Sequence, residues 1–133
     1  MKVVIDTNVL VSGLLSPYCA SAEIVRMVVA GTIEMLYDAR ITAEYQDVLY
    51  RPKFSFKKTH VDDLLEFITH FGIPVSAKPL SRHLSDRDDE AFLEVAISGG
   101  AECLITGNIT HYPLKARLKT QVLLPRQFLN RYF

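Results

Sequence analysis

Lys2-Val-Val-Ile-Asp6-Thr-Asn8-Val-Leu10 is the stretch that decides the fold. Val3, Val4 and Ile5 are consecutive and β-branched. A run without polar alternation predicts a strand covered on both faces, as strands of parallel sheets are. The strand is expected over Lys2–Asp6. It breaks on a carboxylate followed by two short polar side chains, Thr7 and Asn8, before the chain turns apolar again at Val9. In open α/β sheets, ligands gather where strands end at their carboxyl edge. Asp6 is therefore expected at a functional rim, although an aspartate there can also serve only a local turn.

The surrounding chain alternates in kind. A loop is expected from Thr7-Asn8 through Pro17 and Tyr18. Ile24, Val25, Val28 and Val29 recur at helical spacing and predict a helix over Ser21–Ala30, stopped by Gly31. Ile33–Tyr37 reads as a second strand. Thr42–Tyr50 reads as a helix with Tyr45, Val48 and Leu49 on one face, ended by Pro52. A basic link with aromatics, Lys53–Lys58, leads to a helix over Val61–Phe71. Ile73–Val75 is a brief extended piece and Ser81–Ser85 a polar loop. An amphipathic helix is expected over Asp88–Ser98, then strands over Cys103–Thr106 and Gln121–Leu124, and a last helix from Pro125 carrying Phe128 and Leu129. Such alternation predicts a three-layer α/β/α sandwich around a central, mainly parallel sheet.

The 133 residues fit one domain, expected to span 1–133. At 49% hydrophobic and 23% charged, the chain has the balance of a globular protein whose core needs no disulfide. Cys19 and Cys103 match no metal-ligand spacing, and Cys103 lies in an apolar run that predicts a core thiol. Fifteen basic residues balance fifteen acidic ones, so no global field draws the molecule onto nucleic acid. No apolar run approaches the roughly 20 residues of a membrane span. Asp6 arrives too early for a signal-peptide core. The expectation is a soluble, cytoplasmic protein with no membrane partner.

Acids follow other strands as well. Glu44 falls in the expected first turn of the Thr42 helix, where Thr42 can cap and the dipole favours a carboxylate by roughly 0.3–1 kcal/mol. Ser85-Asp86-Arg-Asp88-Asp89-Glu90 places four acids at one helix start. Like charges this close repel unless a cation neutralises them, and a hard divalent ion such as Mg²⁺ or Mn²⁺ does so through oxygen ligands. Asp89, four residues before Leu93 and seven before Ala96, borders the inward face; Asp86 is one turn earlier. Asp88 and Glu90 are expected to be solvated. Thr106-Gly107-Asn108 ends another strand, with a glycine that permits close backbone approach and an amide that can ligate or hold water. His111, beside Tyr112-Pro113, reads as a loop histidine.

With these motifs in place, the chain resembles the PIN domain, a family of Mg²⁺/Mn²⁺-dependent nucleases. The likeness rests on Val4-Ile-Asp6-Thr-Asn8-Val-Leu10, Thr42-Ala-Glu44 through Pro52-Lys-Phe54, Asp86-Arg-Asp-Asp89 through Ala96, and Ala101-Glu-Cys-Leu-Ile-Thr106-Gly-Asn108. It implies that Asp6, Glu44 and Asp89 are catalytic and carry the metal, with Asp86 assisting. Asn8 and Thr106 would be polar supports. The family's fourth acidic position matches Asn108, a neutral amide, which weakens a second metal site. The resemblance further implies an endoribonuclease leaving 5′-phosphate and 3′-hydroxyl ends. The subgroup it is most similar to comprises toxins of prokaryotic toxin–antitoxin pairs, which adds an antitoxin protein and a homodimer as expected partners beside RNA.

Basic residues fall in three groups: Arg51, Lys53, Lys57 and Lys58; Arg82 and Arg87; Lys115, Arg117 and Lys119. Most are expected to be ordinary solvated charges. Phe54 and Phe56 can stack bases or pack in the core. Two other readings compete. An aspartyl phosphatase of the haloacid-dehalogenase type would need a second acid where Asn8 stands. A catalytically silent PIN-fold module would bind RNA or protein without cutting, and Asn108 favours it.

Overall fold

A computed structural model describes residues 1–133. In chain order the elements are β1 (Lys2–Ile5), α1 (Thr7–Leu15), α2 (Ala20–Val29), β2 (Glu34–Tyr37), α3 (Ala39–Leu49), α4 (Lys58–Phe71), β3 (Ile73–Pro74), α5 (Glu90–Ser98), β4 (Cys103–Ile105), β5 (Gln121–Leu123) and α6 (Pro125–Tyr132). Short 3₁₀ turns at Pro52–Phe54, Arg87–Asp89, Ile109–His111 and Leu114–Ala116 link them. The five strands form one parallel sheet in the order β3-β2-β1-β4-β5.

Val3, Val4 and Ile5, and likewise Cys103, Leu104 and Ile105, are wholly buried. Successive side chains of a strand point to opposite faces, so helices must cover both, and the expected three-layer α/β/α architecture holds. Pro74 lacks a backbone N–H and is tolerated because β3 is an edge. From β1 the chain leaves toward β2, whereas from β4 it leaves toward β5. The carboxyl ends of these adjacent central strands therefore diverge into a crevice. Across it, the Asp6 N–H donates to Ile105 O at 2.9 Å, tying the two strand ends together.

Several expectations are corrected. The loop expected after Thr7 is helix α1, with Val9 and Leu10 buried. Its valines and Gly13 weaken intrinsic helicity, and tertiary burial overrides that preference. A Cβ on Gly13 would lie 2.9 Å from Val25 Cγ2 and 3.0 Å from Ser21 O, so the glycine lets α1 and α2 cross closely. Helix α3 begins three residues earlier than expected. Asp38, not Thr42, caps it, accepting from the N–H groups of Arg40 and Ile41 at 3.0 and 3.1 Å. Glu44 thus sits beyond the first turn, where the dipole no longer explains it. Helix α4 likewise starts at Lys58 rather than Val61.

The expected amphipathic helix over Asp88–Ser98 is a 3₁₀ turn followed by α5, and every residue from Glu90 to Ala96 is buried. Glu90, expected in solvent, accepts the Leu84 N–H at 2.8 Å and pairs with Arg87 at 3.1 Å. Glu94 accepts the Leu80 N–H at 2.9 Å and pairs with Arg40 at 2.6 Å. The carboxylates of this helix are thus enclosed, while the guanidinium groups that pair with them remain exposed. No single helix is long and apolar enough to cross a membrane; α1 and α2 together match a span in composition but meet at a 101° bend.

Gly72 joins α4 to β3 at a tight crossing, where a Cβ would stand 2.4 Å from Ile68 O and 2.8 Å from Met35 O. Both neighbours are backbone and cannot rotate away. Gly72→Ala should cost about 1–3 kcal/mol, read as a lower urea midpoint at unchanged slope. An unchanged midpoint would show that the crossing has slack.

Candidate active site

Asp6 follows the last residue of β1 and is only 4% exposed. Its Oδ2 accepts two hydrogen bonds, from Thr106 Oγ1 and from the Tyr112 hydroxyl, both at 2.9 Å. Both donors are neutral. They orient the carboxylate without cancelling its charge and leave Oδ1 without a side-chain donor. Burial pushes the Asp6 carboxyl above its ordinary range, and the bonds from Thr106 and Tyr112 only moderate the rise. Tyr112 is itself fully buried, and its phenol is held neutral by burial and by the charge of Asp6.

Glu44 reaches the same place from α3. Its Oε2 accepts a short hydrogen bond from the Thr7 hydroxyl. Burial raises its proton affinity, aided by the charges of Asp6, Asp88 and Asp86 and opposed by Thr7. Asp89 ends the 3₁₀ turn before α5, and its Oδ2 lies 3.0 Å from His111 Nδ1. Burial, with Asp6 and Asp86 adding to it, lifts Asp89 to about 6 against the pull of His111.

Asp6, Glu44 and Asp89 line one open cleft of about 350 Å³ together with Asn8, Asn108 and His111. Val48 and Phe54 supply apolar wall, and neither lysine nor arginine lines it. Three carboxylates thus face a shared space with no fixed cation, and the charge of Asp6 raises the proton affinity of both Glu44 and Asp89.

The other residues singled out in sequence sort by distance from this cleft. Asn8 Oδ1 accepts the Gly107 N–H at 2.9 Å, locking the start of α1 to the turn after β4. The close approach that Gly107 permits is to Asn8: a Cβ there would lie 3.2 Å from the amide oxygen. Thr106 Oγ1 accepts the Asn108 N–H at 3.0 Å while donating to Asp6. Asp86 does not line the cleft. It is exposed and caps the 3₁₀ turn through the Asp88 N–H at 3.0 Å, so it acts on the site through its field. Arg51 pairs with Asp47, and Arg117 donates to the carbonyls of Tyr112 and Ile109 at 2.6 and 3.3 Å. Arg117 is therefore a buttress of the loop that presents His111. Cys103 is a buried thiol, pushed by burial up to about 12.

Thr7, His111 and Tyr112 are the site residues that sequence reasoning passed over. Tyr112 touches Asp6 across 106 positions, and no local pattern announces such a contact. His111 carried one faint signal, its place just beyond a strand-ending glycine.

No three Asp, Glu, His or Cys side chains converge closely enough to form a ligand cage. The donor set nevertheless fits a hard divalent cation. It is made of carboxylate oxygens with amide oxygens beside them, it holds uncompensated negative charge, and each acid is steered by neutral or imidazole partners.

A family model described as PIN domain matches residues 2–110. The matched span includes Asp6, Glu44, Asp89 and Asn108 and stops one residue before His111. A search of curated proteins finds no match.

The raised Asp89 pKa has a consequence for stability without divalent ions. In the folded protein the group binds its proton near pH 6, against about 3.8 for an ordinary aspartate carboxyl. Its contribution therefore favours folding below about pH 4 and is lost as pH rises through about 6. Asp89→Asn should stabilise the protein by about 1–2 kcal/mol at pH 7, after allowance for solvent screening, and by less at pH 5. Urea titrations of both proteins at the two pH values read this difference. Equal destabilisation at both would contradict it.

Proposed function

The chain belongs to the PIN-domain family, whose members are generally nucleases, and on that footing we propose that it is an endoribonuclease that uses Mg²⁺ or Mn²⁺ to hydrolyse RNA phosphodiester bonds. The observation that carries the reading is the convergence of Asp6, Glu44 and Asp89, from three separate segments, on a cleft without lysine or arginine. It lies at the carboxyl ends of β1 and β4, where an open α/β sheet takes its ligand.

In this reading Asp6, Glu44 and Asp89 would hold the cation, which would supply charge neutralisation to the phosphate and acidify water. The protein's own groups do the positioning. Thr106 and Tyr112 fix one oxygen of Asp6 and turn the other toward the cleft. Thr7 does the same for Glu44. Asp89, enclosed beside Asp6 and hydrogen-bonded to His111, is a carboxylate placed to take a proton from the attacking water. His111, hydrogen-bonded to that carboxylate, steadies it. Asn108 offers hydrogen bonds without charge, so the acidic wall is made by three residues. Phe54, stacked on Phe56 with ring centroids 5.4 Å apart, presents an aromatic surface for a base at the cleft edge.

The neutral Asn108 and the unformed ligand cage favour a second reading, a module that binds RNA without cutting it. The toxin role extends the first reading. It rests on the resemblance to toxin components, and growth arrest on induced expression, relieved by a co-expressed antitoxin, is its test.

Single-stranded RNA should be cleaved with Mg²⁺ or Mn²⁺ and left intact with a chelator. Asp6→Asn should lower the rate about 100-fold or more, with its thermal unfolding undiminished. RNA that is bound but never cut would favour the binding module. Undiminished cleavage by Asp6→Asn would remove the carboxylate cleft from the reaction.

A further inference from the structure

A second and larger cleft, of about 800 Å³, has Lys78, Arg82 and Lys115 on its walls and no acidic residue among its lining. We propose that it is a subsite for the backbone phosphates of the single RNA strand cut in the carboxylate cleft, an inference that rests on the nuclease reading above. The three cations come from two distant segments that the fold brings face to face. None of them is held in an ion pair, whereas Arg40, Arg51, Lys58 and Arg87 all are.

Both walls are fixed in place. The segment bearing Lys78 and Arg82 is laid along α5, where the Lys78 N–H donates to Ser98 Oγ and the Leu80 N–H to Glu94 Oε2, each at 2.9 Å. Glu94 is in turn anchored by Arg40. The opposite wall is the turn Leu114–Ala116 and Leu118, tied down by the bonds from Arg117 to the carbonyls of Tyr112 and Ile109. This loop also puts His111 in the carboxylate cleft. Lys115 lies four positions beyond His111, a Cα–Cα span of at most about 14 Å, so a strand lying in one cleft reaches the other within a few nucleotides.

The chemistry of the lining favours a strand over a compact polyanion. Ile97 and Ser98, at the C-terminal end of α5, form part of it, and the negative end of a helix dipole opposes a deeply seated multivalent anion. Cations at the rim suit phosphates that carry one charge each and follow one another along a chain. Leu118 stands at the lip, 72% exposed, with φ at +52°, a left-handed conformation that leucine rarely adopts. It offers a base an apolar surface beside the cations. Single-strand grooves pair a cationic track with a face for the bases, commonly aromatic and here aliphatic.

Anisotropy of a labelled oligouridylate, measured in EDTA so that no turnover intervenes, tests the subsite. The triple variant Lys78→Gln, Arg82→Gln, Lys115→Gln should raise Kd about 10-fold or more and reduce the slope of log K against log salt by about 2, at roughly 0.7 for each phosphate no longer neutralised. If the triple variant melts early, Lys115→Gln alone should still reduce the slope by about 0.7. An unchanged Kd and slope would overturn the proposal. So would loss of polyglutamate binding with RNA binding intact, which assigns the cleft to an acidic protein. Cleavage with an unaltered slope sinks the subsite and leaves the nuclease standing; an altered slope without cleavage does the reverse.

Discussion

Asp6 is a carboxylate enclosed where β1 and β4 part, and much of the site is arranged around keeping it there. A buried carboxylate is costly unless hydrogen bonds hold its charged form. Here two neutral donors, Thr106 and Tyr112, do so on one oxygen. Thr106 is available because β4 ends one residue before it, and it also receives the Asn108 N–H. Tyr112 is available because Arg117 braces its loop from within, through the carbonyls of Tyr112 and Ile109. Asp6, Thr106, Tyr112 and Arg117 therefore form one continuous support, from the sheet to the loop that carries His111.

The acids near α5 divide by the company they keep. Glu90 and Glu94 are buried with cationic partners, and each receives a backbone N–H from the segment running back along the helix. They fasten that segment. Asp86 and Asp88 are exposed and belong to a turn. Asp89 alone is enclosed, faces Asp6 and Glu44, and has only an imidazole beside it. Five residues thus contain structural, solvated and site-forming carboxylates, and the register of a single turn separates them.

One loop, from Ile109 to Leu118, borders both the acidic and the basic cleft. Its 3₁₀ turns present His111 on one side and Lys115 on the other, with Arg117 bonded inward between them. A balanced net charge conceals this arrangement, because opposite charges are sorted into neighbouring clefts rather than mixed. Electrostatic grip on a polyanion needs such local sorting, not an overall excess.

The β-branched run at Val3–Ile5, the apolar run at Cys103–Ile105 and the helical spacing of the apolar residues between them were sufficient for the three-layer parallel fold. The placement of Asp6 at a strand end followed from the same local pattern. Local patterns failed at α1, where burial against α2 outweighs weak helical preference, and at Asp38, whose capping moved Glu44 off the helix start. They failed too at Glu90, whose partners lie on a returning segment. The contacts of Asp6 with Thr106 and Tyr112 span 100 and 106 positions, and Arg82 meets Lys115 from across a cleft. Apolar periodicity is set by residues a few positions apart, so the amino-acid order alone announces most strands and helices. Which charge is enclosed, which is paired and which is left facing a ligand depends on neighbours supplied by distant segments, and only the folded chain decides that.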